Sequence, residues 1–195
     1  MKTKSYLLMV AILMMALTGF SQKFNGGLLV GLSESQVDGD TQKGFDKLGM
    51  FSGAWVSTDF NKFIGAKIEL YYIGKGAKLN SNGVEIFKSK LHYVEMPFLF
   101  TIKPAKKFQL DLGLAASYLI SSKLYEQGAL VPDELNDMHN YDLGAIGSGS
   151  YYFTPSLGFN IRMEYSLMPI KNNPNWFNYN ISFGLAYQFN TKQEF

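Results

Sequence analysis

The chain of 195 residues contains no cysteine. A disulfide framework, a thiol nucleophile, a thiolate metal site and a lipid anchor on an N-terminal cysteine are therefore excluded. Histidine is nearly as scarce: His92 and His139 are the only two, and their separation offers no paired-histidine metal motif. Beyond residue 22 no segment approaches the run of about 18 apolar residues that a transmembrane helix requires. A dominant sign of charge is also missing. The formal net charge is +2, and without Lys2 and Lys4, which fall in a segment expected to be removed, the 18 cationic residues drop to 16, matching the 16 anionic ones. A neutral mature chain carries no electrostatic footprint for nucleic acid. Aromatic rings are what the chain has in abundance, with 12 Tyr and 16 Phe.

Residues 1–22, MKTKSYLLMVAILMMALTGFSQ, combine a basic start, an apolar run from Tyr6 to Leu17 and small residues at Gly19 and Ser21. This is the pattern of a secretory signal peptide, too short and wrongly flanked for a membrane span, with cleavage expected after Ser21. The expected division is a signal peptide over 1–21 and one domain over 22–195. An exported domain without apolar helices enters a membrane only as a closed barrel.

The dominant periodicity past Lys23 is two, the signature of strands. In the last segment Phe177, Tyr179, Ile181, Phe183, Leu185, Tyr187 and Phe189 alternate with Asn178, Asn180, Ser182, Gly184, Ala186, Gln188 and Asn190. Two further segments, around residues 107–121 and 156–168, alternate as cleanly. Strands are also expected near 23–33, 49–60, 62–74, 90–103 and 139–153, about eight in all. The strand at 49–60 has no decisive phase, and its facing stays open.

Short links near 59–62, 103–106 and 153–155 alternate with long polar ones at 34–48, 74–89, 121–138 and 169–176. That alternation is the habit of an outer-membrane barrel, with short periplasmic turns, long extracellular loops and periplasmic termini. Alternation of side chains alone does not separate a membrane barrel from a soluble one. The charges and glycines do: Lys67, Glu69, Glu95, Asp111, Arg162 and Glu164 share the non-aromatic face with Gly65, Gly113, Gly144, Gly158 and Gly184. A narrow interior needs such room beside long charged side chains, whereas a solvated face does not, and glycine weakens a strand. Aromatic residues near strand ends, including Phe60, Phe63, Phe108, Phe153, Tyr72, Tyr118 and Trp176, suit membrane interfaces. The expected fold is all-β: an eight-stranded antiparallel up-and-down transmembrane barrel.

The last strand carries Ser182, Gly184, Tyr187 and Phe189, which resembles the polar-x-Gly-x-x-aromatic-x-aromatic insertion signal of outer-membrane barrels. Nearly the whole mature chain is similar to the PorT-like outer-membrane β-barrel family of the Bacteroidota. The residues that carry this are FSQ at 20–22, FNGGLLVGLS from Phe24, ELYYIGKGAK from Glu69, LHYVEMPFLF from Leu91, DLGLAASYLISSK from Asp111 and NISFGLAYQF from Asn180. The resemblance implies an OmpA/OmpX-like architecture in the outer membrane, with lipid and the barrel-assembly machinery as partners. Founding members of that family are linked to protein secretion through the type IX system. This chain departs from a clean insertion signal by continuing past Phe189 with NTKQEF.

The interior charges are the one constellation with a mechanism attached. Lys67 and Glu69 lie two apart, as do Arg162 and Glu164, and with Glu95 and Asp111 two cations face four anions. Buried charges are costly unless paired, and eight strands leave an interior that side chains fill, so a salt-bridge plug is expected. The alternative is a narrow path for ions or small solutes. An enzymatic reading has little to stand on. His139, near Asp133, Glu134 and Asp137, is a composition rather than a triad, and the glycines of 144–149 precede no helix that would cradle a phosphate. The acidic loop residues suit at most a weak exposed cation site, with solvation as the default. No cofactor is expected. Function would then lie in the long loops, whose signs differ: 34–48 carries a formal charge of −2 and 74–90 one of +3. A monomeric structural or envelope-interaction barrel is the expectation.

Overall fold

Alternating apolar and polar residues give ten antiparallel strands in a computed structural model that describes residues 24–39, 47–81, 84–131, 138–172 and 174–189. They are β1 (Phe24–Asp38), β2 (Lys47–Asp59), β3 (Ile64–Lys75), β4 (Lys78–Ser81), β5 (Val84–Ala105), β6 (Phe108–Glu126), β7 (Ala129–Val131), β8 (Tyr141–Tyr152), β9 (Leu157–Ser166) and β10 (Phe177–Gln188). The expected signal peptide, the loop acids Asp133, Glu134 and Asp137, and the tail after Phe189 lie outside the described residues.

Eight of the strands close a ring in the order β1-β2-β3-β5-β6-β8-β9-β10, with β10 returning to β1 from Gly27↔Gln188 to Asp38↔Phe177. Closure gives each of the eight ring strands a partner on both sides, which is what a lipid environment demands of backbone amides. Three tight turns gather at one end, at residues 60–63, 106–107 and 153–156. Their chemistry is local. The Asn61 Oδ1 accepts from the backbone N–H groups of Phe63 (2.8 Å) and Ile64 (3.0 Å), and the Thr154 Oγ1 accepts from that of Leu157 (2.9 Å).

At the opposite, long-loop end the strands run further than the periodicity of the sequence suggests. β1 continues to Asp38, β5 begins at Val84 and β6 reaches Glu126. Most of the stretches expected to be polar loops at 74–89 and 121–138 that fall among the described residues are therefore sheet, with β4 and β7 flanking the overshooting β5–β6 hairpin. Alternation persists there with Ser89, Leu91 and Leu124 buried. Above the lipid, however, the outward positions no longer need to be apolar, so the pattern reads as loop. Gln127 and Gly128 turn β6 into β7 with positive φ of 48° and 82°.

The outer wall is an apolar belt. Ile68, Leu70, Phe98, Leu112, Leu114 and Ile161 are all between 46% and 58% exposed, a continuous surface that only lipid covers at low cost. Phe24, Phe60, Phe63, Phe108 and Phe153 rim it at the short-turn end, and Tyr72, Tyr118, Tyr141 and Tyr165 at the other, in keeping with interfacial girdles. Trp176 departs from this expectation. It packs against the buried cluster that caps the interior, because the segment before β10 folds over the mouth rather than toward lipid. The open facing of β2 also resolves: Phe51 and Trp55 point inward and are buried, while Leu48, Met50 and Val56 face out. Its large rings fill the lumen and its small Ser52 and Ala54 face lipid, so size and polarity give opposite phases.

Candidate functional site

The interior is built in layers, starting from Lys67 and Glu69 on β3. Their side chains follow the same inward parity, and the Lys67 ammonium lies 3.0 Å from Glu69 and 2.5 Å from Asp111 on β6. Arg162, projecting from β9 across the lumen, donates from Nη1 to Glu69 (2.8 Å) and from Nε to the Asn160 Oδ1 (3.0 Å). Asp111 is further held by hydroxyl donors from Thr101 (2.7 Å) and Ser148 (3.1 Å) and by the Gln109 amide (3.0 Å). Every charged member of this layer is buried with an opposite charge in contact, the condition under which such groups persist in a low-dielectric interior.

Above it the Arg162 guanidinium sits 5.1 Å from the ring centroids of both Phe51 and Tyr71, a cation–π contact on each ring. The Phe51 ring has room because β1 carries glycine beside it: a Cβ on Gly31 would meet the Phe51 Cε1 at 2.6 Å.

A second charged layer follows, around Lys75. Its ammonium lies 2.5 Å from Glu95 and 2.9 Å from Glu164. Asp142 stands in the same region, accepting from Ser166 (2.6 Å) and Asn178 (3.0 Å), and Asn178 also donates to the Tyr93 hydroxyl (3.2 Å). Here Oε2 of Glu95, Oε2 of Glu164 and Oδ1 of Asp142 have no hydrogen-bond donor among the described residues. A Cβ on Gly144 would meet the Glu164 Oε1 at 2.6 Å, so this glycine makes room for the carboxylate. Over the layer lies an apolar lid of Val37, Ile73, Leu91, Leu119, Leu124 and Ile170.

The six charged residues singled out from the sequence thus all face the interior, but they fall into two groups: Lys67, Glu69, Asp111 and Arg162 in one, Glu95 and Glu164 in the other. The cation of the second group, Lys75, and its third carboxylate, Asp142, escaped the sequence reading. Lys75 continues the odd-numbered inward parity of Lys67, Glu69, Tyr71 and Ile73 into a stretch whose glycines and polar residues read as loop. On β10, Ser182 is buried and Gly184 faces inward beside it, whereas Tyr187 and Phe189 point outward with their rings 5.6 Å apart. His92 stacks on Tyr72 on the outer wall. His139 is held by the Pro169 carbonyl (2.8 Å) and the Asn172 amide (3.2 Å). Among the described residues no three histidine or acidic side chains are grouped to hold a metal ion.

A closed ring of eight strands with an apolar outer belt and a charged interior defines an outer-membrane β-barrel, and the outer membrane is where such a protein resides. The chain belongs to the outer membrane protein beta-barrel domain family, whose model matches residues 19–172. Among solved structures it is similar to Ail, the attachment invasion locus protein of Yersinia pestis, with 14% identity, coverage of 86% of this chain and 99% of that one, and a TM-score of 0.53. It is similar as well to Neisserial surface protein A, with 12% identity, coverage of 84% and 97%, and a TM-score of 0.58. At those identities the likeness is one of fold. No curated protein matches the chain by sequence.

Proposed function

We propose that this barrel is a plugged, non-conducting scaffold of the envelope, with periplasmic termini and with the long-loop end carrying its interactions. The observation that supports this best is the filled interior: two ion-pair layers, the Phe51–Arg162–Tyr71 stack between them, and an apolar lid. Opening a hydrated path through such a column means separating buried charges, a cost of several kcal/mol per ion. The chemistry of the interior is then structural, and the chain is not an enzyme. The similarity to PorT-like barrels supports a place beside envelope machinery, protein secretion included. Ser182, Gly184, Tyr187 and Phe189 are read as the element by which the assembly machinery recognises β10.

The second reading, a narrow pore, draws on the unsatisfied carboxylate oxygens around Lys75, which would favour a cation or protons in transit. Planar-bilayer recording separates the two. The plug predicts no steady unitary current from the intact barrel; ion-selective current altered by Glu95→Gln or Arg162→Ala would overturn it. A deletion strain with an unchanged secreted proteome would sink the secretion link alone.

A further inference from the structure

The outward face of the wall formed by β4, β5 and β6 carries a concentration of positive charge just above the lipid belt. Rows of paired residues define its height. Tyr72, Val94, Tyr118 and Tyr141 are successive neighbours across β3, β5, β6 and β8 and form part of the girdle. Continuing along β5, His92 follows, then Lys90 directly opposite Lys123, then Lys88 directly opposite Lys78. Lys47, buried on the inward side of β2, adds its charge within electrostatic reach of Lys78, Lys88 and Lys90. Four residues separate Val94 from Lys90, about 13 Å along a strand and on the order of 10 Å in height once barrel tilt is allowed for. A lysine stem spans the remainder to the headgroup layer.

Like charges placed directly opposite on neighbouring strands are destabilising, so the Lys90–Lys123 pair calls for a counter-charge. The described residues supply little. Glu85 lies 2.8 Å from Lys88 and 3.4 Å from Lys78, and the Lys88 ammonium beside it holds its carboxyl below the usual carboxylate range. Lys90 lies over the Tyr125 ring at 4.9 Å. Among the described residues neither Lys90 nor Lys123 has a carboxylate within ion-pair distance.

We infer that this wall binds the phosphate groups of lipid headgroups in the leaflet it borders, with Lys90 and Lys123 as the principal contacts. The inference rests on the reading of the long-loop end as the outer one only for which leaflet that is. A phosphorylated lipid supplies both partners that this wall does not find among the described residues: negative charge beside Lys90 and Lys123, and acyl chains against Val94, Tyr72 and Tyr118 below them. A soluble polyanion would match the first alone.

The test uses the folded full chain in phosphatidylcholine nanodiscs doped with lipid A or with its dephosphorylated form, counting lipids retained per barrel by mass spectrometry of the intact complex. Lipid A is expected to be enriched over both the dephosphorylated form and the bulk lipid. Lys90→Gln with Lys123→Gln should reduce the enrichment by roughly fivefold per lysine, on the order of 25-fold together, with heat-modifiable gel mobility unchanged. Lys106→Gln, on a short turn at the other end, should leave it intact. Equal retention of the dephosphorylated lipid, or an undiminished enrichment in the double variant, overturns the proposal. So does displacement of the lipid by inorganic phosphate or a heparin oligosaccharide, which marks a soluble-anion site. None of these outcomes bears on conductance, so the plug stands or falls separately.

Discussion

The two charged layers of the lumen are made of the same residue types, yet they balance differently. Around Lys67, two cations, Lys67 and Arg162, meet two carboxylates, Glu69 and Asp111, and Asp111 has three further neutral donors. Around Lys75, one cation meets Glu95 and Glu164, with Asp142 close by, and three carboxylate oxygens lack a donor among the described residues. The first layer distributes its electrostatic stabilisation over many contacts, whereas the second hangs on a single ammonium. A buried carboxylate that loses its partner bears the full desolvation cost, so the consequences of removing a cation should differ between the layers.

The largest expected effect follows directly. Lys75→Met strands Glu95 and Glu164 together and should destabilise the barrel by about 3–5 kcal/mol, measured by urea unfolding from lipid bilayers with gel mobility as the readout. Lys67→Met should cost clearly less, because Asp111 keeps Thr101, Ser148 and Gln109, and Glu69 keeps Arg162. Equal costs for the two variants would erase the contrast.

Removal of an anion should invert the ranking. Glu69 is the carboxylate shared by Lys67 and Arg162, so Glu69→Gln leaves Arg162 with no ionised partner in contact among the described residues. A loss on the order of 3 kcal/mol is expected in the same unfolding assay. The cation–π contacts to Phe51 and Tyr71 remain and keep the guanidinium from the upper end of that range.

The two layers also differ in how far the sequence disclosed them. The inward placement of Lys67, Glu69, Asp111 and Arg162 is legible because each sits in a lipid-crossing stretch where apolar residues alternate on either side. Ile68 and Leu70 bracket Glu69, and Ile161 and Met163 bracket Arg162. Lys75 lies past Tyr72, where Gly74 and Gly76 replace the apolar outward residues and the alternation loses its contrast. The strand continues regardless, because its hydrogen bonds to β5 do not depend on what faces outward. The same loss of contrast hid the extension of β5 down to Val84 and of β6 up to Glu126. Pairing across the lumen was beyond any reading of one strand at a time, since Arg162 meets Glu69 from a strand 93 residues away in sequence.

The smallest expected effect is the most discriminating. In the Lys75 layer the carboxylates exceed the cation, so Glu95→Gln removes a repulsion with Glu164 and Asp142 while Lys75 retains Glu164 at 2.9 Å. Its loss of one ion pair and its relief of like charge oppose each other, and the net change should fall within about 1 kcal/mol of zero. Glu69→Gln, the same chemical change one layer away, has no repulsion to relieve. If Glu95→Gln unfolds at as low a urea concentration as Glu69→Gln, the excess negative charge around Lys75 is already neutralised by protons or a bound cation, and the two layers are electrostatically alike.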